Sequence, residues 1–282
     1  RKFLRDERVD ILHARSRLPA WIAYRAWRGM DPRNRPRFVT TVHGFYSVSR
    51  YSAVMTKGER VIAVSEAARR YVEDNYPAVE RARIVVIPRG VDPKLYPYGH
   101  RPSPSWSQTW FQKYPHLLER LVLTLPGRLT RLKGHEDFIE LIARLAARGL
   151  PVHGLVVGGE DPRRLKYAEG LRRSVRERGL EAHITFTGER SDMREVYASS
   201  NLVLSLSRQP ESFGRTVLEA LSLGVPVVGY DHGGVGEILA NIFPEGRVPV
   251  GDLDELAVKV EGFLAKTPSV PGGHPYTLQR ML

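Results

Sequence analysis

Short apolar, β-branched runs punctuate the chain at Val9–Leu12, Phe38–Val42, Arg60–Val64, Ile84–Ile87, Leu121–Leu125, Val152–Val157, Ile184–Thr187, Leu202–Leu206 and Val225–Val228. These runs have the length of strands rather than helices. Most intervals between them have helical spacing, as in Phe138, Ile139, Ile142 and Leu145. Strands alternating with helices predict parallel sheets, because a parallel pair needs a long crossover and a helix fills it. The predicted class is α/β.

The alternation breaks across Tyr96–His116, where prolines, serines and aromatics replace any regular period, and resumes at Leu121. The break divides the chain into a first domain over 1–98, a linker over 99–118 and a second domain over 119–282. A length of 282 residues agrees with two cores of ordinary size.

Composition narrows the class without changing it. With 42% hydrophobic and 26% charged residues the chain can build real cores, which excludes disorder and fibres. No apolar run reaches the roughly 18 to 20 residues that span a bilayer, and RKFLRDERVD lacks a signal-peptide pattern. The expected location is cytoplasmic, with peripheral attachment at the inner face of a membrane as a further option. Having no cysteine, the chain offers no disulfide, thiolate ligand or cysteine nucleophile. Residues 1–100 hold 20 Lys/Arg against 10 Asp/Glu, whereas residues 101–282 are nearly balanced at 23 against 21. That asymmetry points to an anionic neighbour of the first domain, or to solubility alone. Pro19–Arg28 reads as a short helix with Trp21, Trp27, Arg25 and Arg28, a mixture that suits an anionic membrane surface or a core helix with solvated arginines.

Open α/β sheets bind ligands at the carboxyl ends of their strands, so the chemistry is sought in the loops there. After Leu121–Leu125 come Gly127, Arg128, Lys133 and Gly134, just ahead of a helix. Glycines allow close approach, and two cations beside a helix N-terminus make a diphosphate site. After Leu202–Leu206 comes Ser207–Arg215, then a helix over Thr216–Leu223. Glu211 and Glu219 bracket the helix start, where carboxylates can accept hydrogen bonds from sugar or ribose hydroxyls or merely suit the helix end. After Val225–Val228, Gly233, Gly234 and Gly236 open another helix and let amides approach an anion. His13 and His43 each end a predicted strand of the first domain.

This ordered set resembles the retaining glycosyltransferases of family 4, which have the GT-B architecture of two Rossmann-like domains. The likeness rests on Glu211-Ser-Phe-Gly-Arg-Thr-Val-Leu-Glu219, on Gly127-Arg128 with Lys133-Gly134, on Gly233-Gly234-Val-Gly-Glu237-Ile, and on Ile87-Pro-Arg-Gly-Val-Asp92. The family more often has Asn at the place of Arg89. The resemblance implies that Arg128 and Lys133 hold the donor diphosphate, Glu219 the ribose and Glu211 the transferred sugar. Ser212, Phe213 and Gly214 complete the donor loop, with Gly233 and Gly234 on its third side, and His43 matches the cleft histidine. It further implies a nucleotide-sugar donor, a glycan or glycolipid acceptor of polysaccharide or lipopolysaccharide synthesis, no cofactor, no metal and no nucleic acid. Front-face substitution is the mechanism it suggests, with the leaving phosphate taking the acceptor proton. A nucleotide-sugar epimerase of similar fold and a non-catalytic binder of anionic polymers are the rival readings.

The strand Val9–Leu12 comes so early that four strands remain for the first domain, and the family's glycine-rich first strand has no counterpart before Val9. Tyr276–Leu282 ends as a helix begins. The expectation is an incomplete first domain, in a fragment that binds nucleotide weakly and does not transfer sugar by itself.

Overall fold

The computed structural model describes residues 1–161 and 165–281. Contacts divide it into two units: one comprises Arg1–Arg89, Glu211–Phe213 and Met281, the other Gly90–Pro210 and Gly214–Arg280.

The first unit holds a parallel sheet in the order β1-β2-β3-β4, with β1 Ile11–Ala14, β2 Arg37–Val42, β3 Arg60–Ala63 and β4 Ile84–Val86. Its helices are α1 Lys2–Asp6, α2 Arg17–Arg28 and α3 Glu66–Asn75. Ser65 caps α3, its Oγ accepting from the Ala68 amide at 2.9 Å, which satisfies one of the orphan donors of the first turn. Trp27 of α2 is buried, packs 5.5 Å from Phe38 and donates Nε1–H to the Pro36 carbonyl at 2.8 Å. That indole belongs to the core rather than to a membrane-facing surface. Leu18 and Ile22, one turn apart on α2, are 61% and 65% exposed.

The second unit carries a six-stranded parallel sheet in the order β10-β9-β8-β5-β6-β7. Its strands are β5 Leu121–Pro126, β6 Val152–Val157, β7 Ile184–Gly188, β8 Leu202–Ser205, β9 Val227–Tyr230 and β10 Arg247–Val248. The helices are α4 Pro104–Lys113, α5 His135–Ala147, α6 Leu165–Glu177, α7 Met193–Ala198, α8 Arg215–Ser222, α9 Gly233–Ile242, α10 Leu253–Ala265 and α11 Leu278–Met281. Alternate residues of β5 serve opposite faces: Leu123 and Leu125 meet Phe138, Ile142 and Leu145, while Val122 joins Trp110, Tyr114 and Val196. A sheet covered on both faces needs continuous apolar strands, and β6 and β8 are buried throughout.

Two local features differ from the sequence reading. The last long strand begins at Val227 rather than Val225, because Pro226 has no N–H and the Val225 amide instead closes the preceding helix onto the Ala220 carbonyl at 3.0 Å. The division of the chain falls at Arg89/Gly90. Val91 there bridges Thr277, and the Tyr98 hydroxyl donates to the Val270 carbonyl at 2.8 Å. The segment expected as a linker contains α4, whose Trp110 is buried against the second sheet. No helix among the described residues is long and apolar enough to cross a membrane.

Candidate functional site

In the second sheet the chain runs outward from β5 through β6 to β7, and from β8 through β9 to β10 on the other side. The order therefore reverses between β5 and β8, and loops leaving that point in opposite directions open a crevice at the strand ends. The loops after β5, β8 and β9 are the three singled out from the sequence.

The first loop leaves β5 through Gly127, whose φ of +146° is strained for any other residue. A Cβ built on Gly127 would lie 3.2 Å from Cδ of Lys133, so the lysine's stem lies alongside the glycine. Arg128 is exposed and Lys133 half-buried. Gly134, at φ +69°, closes the loop, and a Cβ there would fall 1.9 Å from the Leu206 carbonyl oxygen. The two glycines thus bring the cationic loop back onto the end of β8. The first residue of α5, His135, is fully buried, and its ring nitrogens lack hydrogen bonds of normal geometry. Burial is the main reason its pKa lies below the usual histidine value, against the opposing influence of the Thr130 and Gly127 backbone.

The second loop runs from buried Ser207 to Gly214, at φ +97°, which starts α8. A Cβ on Gly214 would meet Val235 Cγ2 at 2.9 Å, so this glycine permits close packing against α9. Glu211 and Ser212 are half-buried, and Phe213 is buried. Glu219 is not on a solvated helix face: it is 6% exposed and accepts from Arg215 Nε at 2.8 Å and from the Tyr197 hydroxyl at 3.4 Å. Burial and the Glu219 carboxylate push the Tyr96 hydroxyl up to about 12. The same two causes raise Tyr197, so both phenols stay protonated and can donate.

The third loop places Gly233 and Gly234 in the first turn of α9, beside His232. His232 Nε2 lies 2.7 Å from the Ser207 carbonyl, and since a carbonyl only accepts, that nitrogen carries the proton. A residue larger than glycine at 236 would place its Cβ 2.5 Å from Asp231 Oδ1.

In the first unit, His43 follows β2, and its Nε2 donates to the Arg15 carbonyl. Partial burial, then Arg89 and Arg15, lower its pKa and favour the neutral ring. His13 Nε2 lies 2.7 Å from Thr41 Oγ1. The structure therefore gathers Gly127, Arg128, Lys133, Gly214, Glu219, Gly233 and Gly234 in the second unit, whereas His43 and Glu211–Phe213 sort with the first. Asp137, which no sequence motif marks, binds Arg208 and Tyr230. Its only local signal is an acid in a helix's first turn.

Residues 107–269 match the family model for glycosyl transferases group 1, and residues 1–95 match that for glycosyltransferase family 4. A D-inositol 3-phosphate glycosyltransferase of Rhodococcus erythropolis is 30% identical over 192 residues, covering 67% of this chain and 42% of that protein. A lipopolysaccharide core biosynthesis mannosyltransferase of Rhizobium meliloti is 35% identical over 115 residues, covering 40% of this chain and 32% of that one. The chain thus spans less than half the length of these curated relatives. Among solved structures, a glycosyltransferase of Rickettsia africae superposes with a TM-score of 0.82 at 28% identity, over 94% of this chain and 69% of that one. Anabaena HepE in complex with UDP and glucose gives 0.79 at 24%, over 92% and 69%. Two parallel-sheet Rossmann-like units, the strand-end motifs and these matches agree: the chain has the GT-B fold and belongs to the glycosyl transferases group 1.

Proposed function

We propose that this chain supplies the donor site, and part of the acceptor side, of a metal-independent retaining transferase that moves a sugar from a nucleoside-diphosphate sugar to a glycan or glycolipid. The observation that carries this reading is the glycine-framed loop at the reversal of strand order, where exposed Arg128 and the Lys133 stem flank Gly127 ahead of α5. Two cations and helix N-termini suit the charge that grows on a departing diphosphate, and preorganised charge of this kind is a large catalytic effect. Glu219, held by Arg215, offers a fixed acceptor to ribose hydroxyls. Glu211 is assigned to the transferred sugar. In neutral His43 the Nε2 proton is committed to Arg15, which leaves Nδ1 as an acceptor toward substrate.

In the step itself the anomeric carbon breaks its bond to the phosphate oxygen and forms one to the acceptor oxygen on the same face. The acceptor proton passes to the departing phosphate, so no protein nucleophile is required. The relative named for lipopolysaccharide core biosynthesis supports an acceptor in cell-surface glycan or glycolipid synthesis. The exposed Leu18 and Ile22 of α2, with Arg25 beside them, support placement against an anionic membrane. The experiment is transfer by the complete protein with UDP-, GDP- and ADP-sugars and candidate acceptors. Arg128→Ala and Lys133→Ala are each expected to lower turnover by about 10²-fold. Normal turnover in both, or nucleotide release without an acceptor, contradicts the assignment.

A further inference from the structure

We propose that Asp137 is a positioning residue, a buried carboxylate that locks the loops after β5, β8 and β9 into one donor-binding surface through Arg208 and Tyr230. The proposal rests on the donor-site reading above and deepens it. Asp137, in the first turn of α5, is 2% exposed. A carboxylate placed only to suit the helix end has no need of burial. Here Arg208 reaches in from the surface, its Nε 2.9 Å from Oδ2 and its Nη2 2.5 Å from Oδ1. Tyr230, the last residue of β9, donates its hydroxyl to Oδ2 at 2.7 Å. Burial and this hydrogen bond hold the phenol far above its ordinary pKa, so it remains a donor. One carboxylate thereby joins the helix after the Arg128–Lys133 loop, the loop ahead of Glu211 and the strand ahead of Gly233.

Neighbouring contacts follow the same plan. The Arg208 amide donates to the Leu132 carbonyl at 3.2 Å, and His232 donates to the Ser207 carbonyl. Gly134 lies so close to Leu206 that this approach fails with any side chain. An ion pair whose cation stands largely in solvent is a poor device for stability, because water screens it. What a two-pronged guanidinium–carboxylate contact supplies is direction, because two parallel hydrogen bonds fix rotation as well as distance. The carboxylate therefore sets the angle of residues 207–210 against α5, and with it the spacing of the loops on either side of the crevice.

The test uses R208Q, R208K, D137N and the R208Q/D137N pair. Each is followed by amide hydrogen exchange, thermal unfolding and calorimetry with UDP, GDP and ADP well below the melting temperature. Because the Arg208 side chain is 58% exposed, R208Q is expected to fold even where D137N does not. R208Q should speed exchange in residues 206–210 and also in 128–134, which do not contain the substitution. Affinity for the nucleotide that binds wild type should fall about tenfold, the scale of one charge-assisted contact. R208K, which keeps the charge without the fork, should resemble R208Q, and the pair should lose no more than either single variant. Exchange that rises only in 206–210, unchanged affinity in folded R208Q, or recovery by R208K overturns the positioning role. If wild type binds none of the three nucleotides, the donor reading fails, and the exchange data still decide whether the loops are locked.

Discussion

The two units follow one rule, parallel strands joined by helices, and put their polar groups to different use. In the second, the strand order reverses between β5 and β8, and the loops there are bound to one another through buried Asp137, which holds Arg208 and Tyr230. In the first, the described strands run in the order β1-β2-β3-β4, and the strand-end histidines each make a ring hydrogen bond within that unit. The difference teaches that polar contacts can tie several loops to one buried carboxylate or pair them one at a time.

Acid separates the two units further. His153 of β6 is 1% exposed, and burial, followed by the nearby His116, lowers its pKa to about 4. Below pH 6.5 the unfolded chain takes up this proton first. Stability is therefore full above pH 6.5 and is lost progressively down to about 4, where the folded histidine also protonates. The gap corresponds to about 3 kcal/mol in the second unit. His13 and His43 are also lowered but only partly buried, so the first unit should lose less. Urea unfolding between pH 7 and 4.5 should show the loss in wild type and much less of it in His153→Gln, which can keep the bond to Thr185. Equal losses in both proteins would assign the acid sensitivity elsewhere.

Gly134→Ala attacks the close approach of the first two loops. Its φ of +69° and the Leu206 oxygen in the path of a Cβ should destabilise the second unit by about 2 kcal/mol or more. Gly149→Ala, at φ +76° with open space around it, bears only the backbone strain and should cost about 1 kcal/mol. A melting temperature that falls equally in both would remove the packing argument. The smallest effect is expected in the first unit, where Leu18→Ser with Ile22→Ser should weaken binding to anionic vesicles at low salt a few-fold. Identical binding of wild type to neutral and anionic vesicles would break that assignment.

Much of this architecture is legible along the chain because apolar runs and crossovers are local signals. Nine strands lie within two residues of their expected places, and the three crevice loops follow from them. What escaped has physical reasons. Strand β10 has two residues, too few for any alternation. Helix α4 opens with a capping serine and a proline, but its aromatics hide the helical period. The link from Asp137 to Arg208 spans 71 residues and that to Tyr230 spans 93, distances over which no local pattern carries information. Burial of Glu219 by Tyr197 likewise depends on tertiary packing.

The central claim is that the loops at the reversal of strand order form a nucleotide site in which Arg128 and Lys133 meet the diphosphate. The most direct measurement is calorimetry of this 282-residue chain against UDP, GDP and ADP, repeated with Arg128→Ala and Lys133→Ala. One nucleotide should bind wild type, and each variant should bind it at least about tenfold more weakly, as expected for losing one charged contact. Binding that is undiminished in both variants, or no binding of any of the three nucleotides by wild type, would contradict the account.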